Sequence, residues 1–426
     1  MEMRDNRGRE ETRSETAQRC GIIFLCFACL TVLACDGSAP PLENGRWRAW
    51  LDSPGGDLPF GLEIRENDGR LEATLINGEE RIDVPRVERT GDRLLLAIDH
   101  YDSAVTAAVG DGGRRLDGEW RKTSGPAKQA RLAFHAEAGV PAESPAAEAA
   151  TLERIVGRWS VDFESDDKPA VAIFRSGAGG TLLGTFLTTT GDYRYLAGSL
   201  EGDRLRLSCF DGAHAFLFDA RLGEDGSLAG DFWSRDSWHE RWTARRDAEV
   251  SMPDAFELTR WVGGEELDEV VFPDLDGRPR ALGDEEFAGR ARILEIFGSW
   301  CPNCNDAAVH LAELHREYGD RGLSIVGLAF EMTGEFERDA EQVRRYAEHH
   351  GLRFPLLVAG VSNKDRASES FPLLDRIRSY PTTVFLHADG RVRAVHQGFS
   401  GPATGPAHQE LRARFRFLIE ELLAER

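Results

Sequence analysis

The chain has 426 residues, of which 52 are Lys or Arg and 73 are Asp or Glu, so its formal net charge is −21. At about 150 residues per domain this length predicts roughly two to four domains, and an apolar content of 41% is sufficient for buried cores. So strong a negative charge argues against nucleic acid as a partner, and the basic cluster Arg412, Arg414 and Arg416 falls on a predicted terminal helix.

Residues 1–34 have the pattern of a signal peptide. Several arginines precede an apolar stretch at residues 21–34, which is shorter than the roughly 20 residues that a transmembrane helix needs. The stretch ends in Val32-Leu33-Ala34-Cys35, followed by Asp36. This resembles a bacterial lipoprotein processing site. The resemblance implies lipidation of Cys35, a tether at residues 35–45, and a periplasmic protein anchored to the inner membrane. An uncleaved anchor and a plain secreted form are the alternatives.

The seven cysteines divide into two groups. Four lie within residues 1–35, and the exported remainder keeps Cys209, Cys301 and Cys304. An exported protein with so few cysteines is not a scaffold stapled by disulfides. The close pair is therefore predicted to be catalytic, and Cys209, beside a predicted strand, to be a buried inert thiol.

The middle of the chain contains an internal repeat. Gly45-Arg46-Trp47 recurs at 157–159, Gly91-Asp92-Arg93-Leu94 at 202–205, and the Leu116–Trp120 segment at 228–233. Three markers in one order predict two tandem duplicated all-β modules, at residues 46–135 and 153–247, joined by an Ala-, Pro- and Glu-rich linker at 136–152.

Each module is predicted to be a small antiparallel barrel or sandwich. Short apolar or alternating runs are broken by Asp-Gly and Asn-Gly turn signals about every ten residues. The tryptophans of these modules are expected mostly in the core, although a pocket lining is the alternative. They are Trp47, Trp50, Trp120, Trp159, Trp233, Trp238 and Trp242.

Residues 263–426 alternate strand and helix signals and are predicted to form an α/β domain. We expect strands at 293–297 and 323–330, helices at 306–318 and 335–350, a hairpin at 382–386 and 392–397, and a last helix from about 408. His349 and His350 end the second of these helices, where we expect them to be solvated.

Trp300-Cys301-Pro302-Asn303-Cys304 lies where a predicted strand gives way to a helix. A Cys-x-x-Cys pair at this place is suited to thiol–disulfide exchange, because unpaired N–H groups and the helix dipole favour a thiolate on Cys301. Pro302 suits the first turn of a helix. Cys301 is predicted to be the more exposed nucleophile, and Cys304 to resolve the mixed disulfide.

This region resembles the TlpA-like thiol–disulfide oxidoreductases, which have the thioredoxin fold. The resemblance rests on residues 295–304, on Val271-Phe272-Pro273-Asp274-Leu275-Asp276-Gly277 and on Ser379-Tyr380-Pro381-Thr382-Thr383. It implies a cis Pro381 beside the sulfurs, where a substrate segment pairs, and no cofactor beyond the disulfide Cys301–Cys304. The side chains expected to dock a substrate are Trp300, Pro302, Asn303, Tyr380 and Thr382.

Glu295 stands six residues before Cys301, where thioredoxins keep a buried acid that accepts the proton of the resolving thiol. Many TlpA-like proteins lack an acid there, so this is a departure. Burial raises the pKa of such a carboxyl and suits it to proton transfer. A solvated or salt-bridged glutamate is the alternative. Glu331 is a second candidate acid.

The sequence thus predicts a membrane-tethered extracytoplasmic thiol–disulfide oxidoreductase, with reduction of partner disulfides as the favoured direction. Its predicted catalytic residues are Cys301, Cys304, Glu295 and Pro381. No metal site is expected, because no further ligands stand at suitable spacing. The predicted partners are disulfide-containing or dithiol envelope proteins, a membrane electron donor and, through Cys35, the lipid bilayer.

Two alternatives stay open. One is an envelope binding protein whose redox couple is regulatory, which a ligand-dependent potential of that couple would support. The other is a structural protein with a static disulfide that resists mild reductant.

Overall fold

The computed structural model of the chain describes residues 40–140, 152–264, 267, 269–284, 286–287 and 290–425. The predicted signal peptide, Cys35 and most of the predicted linker lie outside the described residues and stay predictions.

Residues 40–140 form a curved antiparallel sheet. Its nine strands are β1 (Gly45–Ser53), β2 (Gly56–Asn67), β3 (Arg70–Asn77), β4 (Glu80–Asp83), β5 (Arg86–Thr90), β6 (Arg93–Ile98), β7 (Ser103–Gly110), β8 (Arg115–Gly125) and β9 (Lys128–Ala138). The first and last strands pair at its centre. Along β1, Trp47, Ala49 and Leu51 are buried and alternate with more exposed residues, as in a sheet with one covered face.

Residues 157–246 form a second antiparallel sheet. Its strands are β10 (Gly157–Phe163), β11 (Asp166–Ser176), β12 (Leu182–Thr188), β13 (Gly191–Asp192), β14 (Leu196–Glu201), β15 (Arg204–Phe210), β16 (Ala215–Leu222), β17 (Leu228–Ser234) and β18 (Trp238–Arg246). Because β11 also pairs with β12, this sheet closes into a barrel. The two-residue strand β13 pairs with the end of β12 as a short hairpin arm.

The N-terminal region is therefore all β, as predicted, with one open and one closed sheet. The tandem duplication stays a prediction. One boundary needs correction, because β9 continues to Ala138, inside the predicted linker. Ala136 and Ala138 are buried and pair with β1, so these residues belong to the first sheet.

The two sheets share part of one hydrophobic core. The ring of Phe210, from the second sheet, lies 4.6 Å from the ring of Phe60 and 5.5 Å from that of Trp120. The Asn77 side chain donates to the Phe210 carbonyl and accepts from its N–H, at 3.1 and 2.9 Å. The predicted core position is confirmed for four tryptophans, which are fully buried: Trp47, Trp120, Trp159 and Trp242.

The C-terminal region is an α/β domain, as predicted. Its elements are β19 (Val271–Pro273), β20 (Pro279–Ala281), β21 (Ala291–Phe297), α1 (Pro302–Tyr318), β22 (Leu323–Glu331), α2 (Phe336–His350), β23 (Leu356–Val361), α3 (Lys364–Ser370), β24 (Thr382–Leu386), β25 (Val392–Gln397) and α4 (Pro406–Ala424). Short 3-10 turns lie at Asp99–Tyr101, Asp111–Gly113, Ala178–Gly180 and Pro402–Thr404.

The main sheet of this domain has the order β23-β22-β21-β24-β25. β21, β22 and β23 are parallel, and β24 and β25 are antiparallel to their neighbours. Every residue of the central strand β21 is buried, as expected for a strand covered on both faces. The strand delivers its C-terminal end to the Trp300–Cys304 loop. Helix α1 begins at Pro302 rather than at the predicted residue 306.

Among the described residues, no helix combines the length and the apolar character that spanning a bilayer requires.

Candidate active site around Cys301 and Cys304

Cys301 caps the N-terminus of α1. Its backbone is extended, with φ −97° and ψ 115°, and its sulfur accepts a hydrogen bond from the Cys304 N–H at 3.3 Å. Pro302 follows at the first helical position, where no N–H is needed. Both cysteines carry free thiols. Cys301 is 6% exposed and Cys304 is 1% exposed, so Cys301 is the more exposed of the two residues, as expected.

The loop before β24 lies against the Cys301 sulfur. The Tyr380–Pro381 peptide is cis, as the family resemblance implied, and the Cys301 thiol donates to the Tyr380 carbonyl at 3.4 Å. The Tyr380 ring packs edge-on against the Trp300 ring at 5.5 Å, and the Trp300 indole N–H donates to the Phe330 carbonyl at 2.9 Å. Cys301 is thus held between its own helix and the loop predicted to dock a substrate.

Glu295 lies on β21 behind the couple. Its side chain is 4% exposed and accepts a hydrogen bond from the Thr383 hydroxyl at 2.7 Å. With this little exposure the alternative of a solvated glutamate is wrong, and burial raises the pKa of Glu295 to about 8. Burial also raises the pKa of the Cys304 thiol, and the neighbouring Cys301 and Glu295 raise it further. A carboxyl that titrates near neutral pH beside a resolving thiol is suited to proton transfer.

Glu331, the second candidate acid, holds the active-site loop. Its two carboxylate oxygens accept from the Ser299 N–H and the Ser299 hydroxyl, both at 2.7 Å. Burial raises the pKa of Glu331 to about 7. Because Ser299 stands two residues before Cys301, these contacts position the nucleophile.

Lys122, on β8 of the first sheet, reaches the same loop and was not found from the sequence. Its ammonium group donates to the Tyr101 carbonyl at 2.9 Å and contacts the Trp300 carbonyl at 3.5 Å. Burial lowers the pKa of Lys122 to about 8. The sequence offers one indication that Lys122 is buried. It stands two residues after Trp120, a predicted core residue, and residues two apart on a strand lie on the same face.

A second lysine, Lys364, stands at the start of α3. Burial lowers the pKa of its ammonium group, and the charge of a Cys301 thiolate partly offsets this effect. This lysine was not predicted as a site residue, because it lies in a helix that was itself not predicted.

The hairpin between β12 and β13 covers another side of the couple. In the orientation that satisfies its hydrogen bonds, the Asn303 side-chain amide donates to the Asp192 carbonyl and accepts from the Asp192 N–H, both at 3.2 Å. The Ser379 hydroxyl donates to the Thr190 carbonyl at 2.9 Å. Asn303, predicted to dock a substrate, is thus engaged by the chain's own second sheet.

The remaining docking residues are also covered. Pro302 is buried and Tyr380 is 6% exposed. Thr382 is fully buried, and its hydroxyl donates to the Ser379 carbonyl at 2.9 Å. Its side chain therefore points into the loop and stabilises it, and the predicted contact of Thr382 with a substrate stays a prediction.

A buried arginine joins the three regions next to α1. The Arg194 guanidinium contacts Glu80 at 2.6 Å and Asp211 at 3.5 Å, and it also pairs with Asp306 of α1. All four side chains are largely buried. Burial raises the pKa of Glu80 to about 7. We call these four residues the Arg194 cluster.

The end of α2 packs on the first sheet. The rings of His349 and His100 stack at 3.7 Å, and His350 Nε2 lies 2.6 Å from the Asn305 side-chain oxygen. The expectation of a solvated helix end is therefore wrong for His350, which is half-buried, whereas His349 is exposed.

Two further features bear on binding. Among the described residues, no group of three or more His, Cys, Asp and Glu side chains is placed to hold a metal ion. A cavity of about 780 Å³ lies between the first and second sheets, with Phe60, Leu62 and Leu207 among its apolar lining and Arg206 among its polar lining. Cys209 is fully buried in the barrel, as predicted.

Comparisons with known proteins point to the C-terminal domain. The AhpC/TSA family matches residues 263–395. The thiol-disulfide oxidoreductase ResA of Halalkalibacterium halodurans is 27% identical over 136 residues, which are 32% of this chain and 68% of that protein. The thioredoxin-like protein YneN of Bacillus subtilis is 27% identical over 135 residues, 32% of this chain and 71% of that protein.

A solved structure of a thioredoxin-family thiol:disulfide interchange protein from Chlorobium tepidum TLS is also similar. It covers 36% of this chain and 92% of its own, at 21% identity and a TM-score of 0.28. On the family match, the C-terminal domain is thioredoxin-like.

Proposed function

We propose that this protein is a thiol–disulfide oxidoreductase that acts through the couple Cys301–Cys304. The observation that carries the proposal is the position of the Cys301 sulfur, which caps α1 at 3.3 Å from the Cys304 N–H and lies 3.4 Å from the Tyr380 carbonyl. A helix N-terminus favours a thiolate. The names of relatives such as ResA support the same activity.

The proposed reaction has two exchange steps. The Cys301 thiolate attacks one sulfur of a partner disulfide, and the partner's other sulfur leaves as a thiolate that takes up a proton. Cys304 then loses its proton to Glu295 and attacks the Cys301 sulfur. This step releases the partner's second sulfur, which takes up the proton, so the partner gains two electrons and two protons while Cys301 and Cys304 become a disulfide.

We further propose reduction as the physiological direction and an extracytoplasmic location, tethered to a membrane through Cys35. The signal-type sequence of residues 1–34 supports export. The proposed partners are disulfide-containing or dithiol envelope proteins, and a membrane electron donor that restores the dithiol. No cofactor other than the Cys301–Cys304 disulfide is proposed.

The test is reduction of insulin by the purified protein with dithiothreitol as the electron donor. We expect Cys301→Ser to lose catalysis, whereas Cys209→Ser, the matched change at the buried thiol of the barrel, should keep it. A Cys304→Ala variant should accumulate its partner as a mixed disulfide on Cys301, which mass spectrometry would identify. Full activity of Cys301→Ser would refute the proposal.

One observation favours the second candidate, a binding protein with a regulatory couple. The cavity of about 780 Å³ between the sheets is large enough for a small molecule. Its lining does not include the Cys301–Cys304 loop. A ligand there would act on the couple only through the packing of the sheets against the redox domain.

A further inference from the structure

The turn between β12 and β13 contacts Asn303, which stands between the two cysteines, and the loop that precedes β24. Leu187 pairs with Asp192 and Thr188 with Gly191, which leaves two residues at the turn. The Thr188 hydroxyl bonds to the Thr190 hydroxyl and to the Gly191 carbonyl, each at 3.1 Å. We call residues 188–192 the hairpin tip. Its backbone is tied internally, so it meets its neighbours as a formed turn.

The hairpin tip touches three segments around the couple. The first contact is the pair of hydrogen bonds between the Asn303 amide and the Asp192 backbone. The second is the Ser379 hydroxyl, which donates to the Thr190 carbonyl at 2.9 Å. The third is the Gln397 amide, which donates to the Thr189 carbonyl at 2.6 Å. The tip is therefore enclosed by the Cys-x-x-Cys loop, the Tyr380–Pro381 loop and the end of β25.

The hairpin tip approaches its neighbours closely at two glycines, Gly191 and Gly398. A Cβ atom on Gly191, which has φ +143°, would lie 1.8 Å from one of the two terminal atoms of the Asn303 side-chain amide. A Cβ atom on Gly398, with φ +77°, would lie 3.0 Å from the Thr190 carbonyl carbon. Both glycines suit this approach, because each has a positive φ and an added Cβ atom would crowd the Asn303 amide or the Thr190 backbone.

The same contacts use the groups that an incoming chain would use. A partner segment that docks as an added strand needs unpaired main-chain and amide groups next to the couple. The backbone of Asp192 occupies the hydrogen-bonding positions of the Asn303 side-chain amide. At the Tyr380–Pro381 loop, the hairpin tip contacts Ser379, the residue that precedes Tyr380. Cys301 itself is only 6% exposed.

The hairpin tip is anchored by buried charges. The Asp192 carboxylate accepts from the Gly401 N–H at 2.5 Å and from the Arg194 N–H at 2.8 Å. Arg194 then continues into the Arg194 cluster, with Glu80 of the first sheet and Asp306 of α1. Moving the tip would expose several buried charges at once, so the tip is a fixed wall rather than a lid.

We propose that the hairpin tip is a specificity-determining wall that limits the couple to slender disulfides. Such disulfides belong to small molecules or to flexible, protruding peptide segments. A disulfide on the broad surface of a rigid folded protein is excluded, because that surface would collide with residues 188–192. The proposal rests on the proposed exchange function and narrows its substrate class.

The first test uses the intact wild-type protein in its dithiol form and three mixed 2-pyridyl disulfides with one leaving group. The thiol joined to the 2-pyridyl sulfur is that of 2-mercaptoethanol, of a flexible ten-residue peptide, or of a surface cysteine on a rigid folded protein. Each rate of pyridinethione release is divided by the rate at which free dithiothreitol reacts with the same reagent, because dithiothreitol has no hairpin tip that could restrict access. We expect the small and peptide reagents to react similarly and the folded one about tenfold more slowly. Equal normalised rates for all three would overturn the proposal.

The second test loosens the wall with Asp192→Ala, which removes the acceptor for the Gly401 and Arg194 N–H groups. The matched control is Asp225→Ala, which removes the acceptor for the Ser227 N–H at 3.0 Å in an exposed turn of the same barrel. Asp192→Ala should accelerate the folded-protein reagent about tenfold and leave the 2-mercaptoethanol reagent within about twofold. Asp225→Ala should change neither rate.

The outcomes separate the wall from the exchange function. Equal acceleration of all reagents by Asp192→Ala would mean that sulfur reactivity changed, and would overturn the wall. If Asp192→Ala does not fold, the wild-type rates decide alone. Unchanged reaction of Cys301→Ser with the small reagent would instead refute the exchange function.

Discussion

The two sides of the Cys301–Cys304 couple are built in different ways. The inner side, behind Cys304, comes from the redox domain itself: Glu295 on β21, Thr383 on β24 and Tyr346 on α2. The outer side, in front of Cys301, comes largely from the β region. Lys122 contacts the Trp300 carbonyl from 178 residues away, and Arg194 pairs with Asp306 across 112 residues.

This difference separates chemistry from access. The inner side sets where protons go, through a buried carboxyl and a buried thiol. The outer side leaves the sulfurs in place and closes the space around them. A change on the outer side should therefore alter stability and substrate range, whereas a change on the inner side should alter the exchange steps themselves.

The largest expected effect is on the outer side, in the Arg194 cluster. Arg194→Met leaves buried acids without their cation, and we expect the free energy of unfolding to fall by about 3–5 kcal/mol. The loss should be greater at pH 8 than at pH 5. Burial already raises the folded pKa of Glu80 to about 7, above its value in the unfolded chain. The folded protein therefore loses stability as pH rises from the unfolded pKa towards 7. Without the Arg194 cation beside an ionised Glu80, this loss is larger. Denaturant unfolding at both pH values measures this.

The matched control is Arg204→Met in the same barrel. Arg204 pairs with Asp219 at 2.5 Å, but its side chain is 48% exposed. Loss of such a pair should cost under about 1 kcal/mol. Equal losses for the two variants would mean that the outer side is not held by the Arg194 cluster.

On the inner side, Glu295→Gln should raise the free energy of unfolding and lower the rate at which the mixed disulfide is resolved. Burial raises the folded pKa of Glu295 to about 8, above its value in the unfolded chain, so the wild type loses stability as pH rises between these two values. The neutral amide of the variant removes that loss, and we expect a gain on the order of a few kcal/mol at pH 8 and little at pH 4. Thermal unfolding across this range measures the gain.

The same variant removes the proposed proton acceptor of Cys304. Resolution of a mixed disulfide should slow by about 100-fold at pH 7, while formation of that disulfide on Cys301 should change little. Single-turnover kinetics with the small pyridyl disulfide separate the two steps. A resolution rate equal to that of the wild type would remove Glu295 from the exchange mechanism.

The inner side could largely be predicted from the sequence, because its signals are local. The spacing of Cys301 and Cys304 and the strand-to-helix junction place both sulfurs at a helix start, and residue 295 lies on the strand that leads to it. The β character of residues 40–140 and 152–247 followed from alternation and turn signals in the same way. The predicted end of the first module, residue 135, lies only three residues before the end of β9 at Ala138.

The outer side could not be predicted, because its contacts join residues that share no pattern. Asp192 and Arg194 stand in a polar stretch after β12 that reads as an ordinary turn. Their burial depends on how the barrel packs against α1. His349 shows the same limit, since its stacking on His100 depends on a 3-10 turn in another sheet.

The smallest expected effects compare one hydrogen bond on each side. The Tyr346 hydroxyl donates to the Cys304 carbonyl at 2.8 Å on the inner side, and the Ser379 hydroxyl donates to the Thr190 carbonyl at 2.9 Å on the outer side. Tyr346→Phe keeps the ring stacked on Phe297. Each of Tyr346→Phe and Ser379→Ala should lower the free energy of unfolding by about 1 kcal/mol.

Their functional effects should nevertheless differ. Tyr346→Phe loosens the carbonyl of the resolving residue and should slow mixed-disulfide resolution for every reagent alike. Ser379→Ala frees one contact of the hairpin tip and should raise the rate for the folded-protein reagent alone, by up to about fivefold, the factor that corresponds to about 1 kcal/mol. Stability measurements cannot distinguish the two variants, but the ratio of rates for the bulky and small reagents can. The same ratio in both variants would show that the two sides of the couple do not divide chemistry from access.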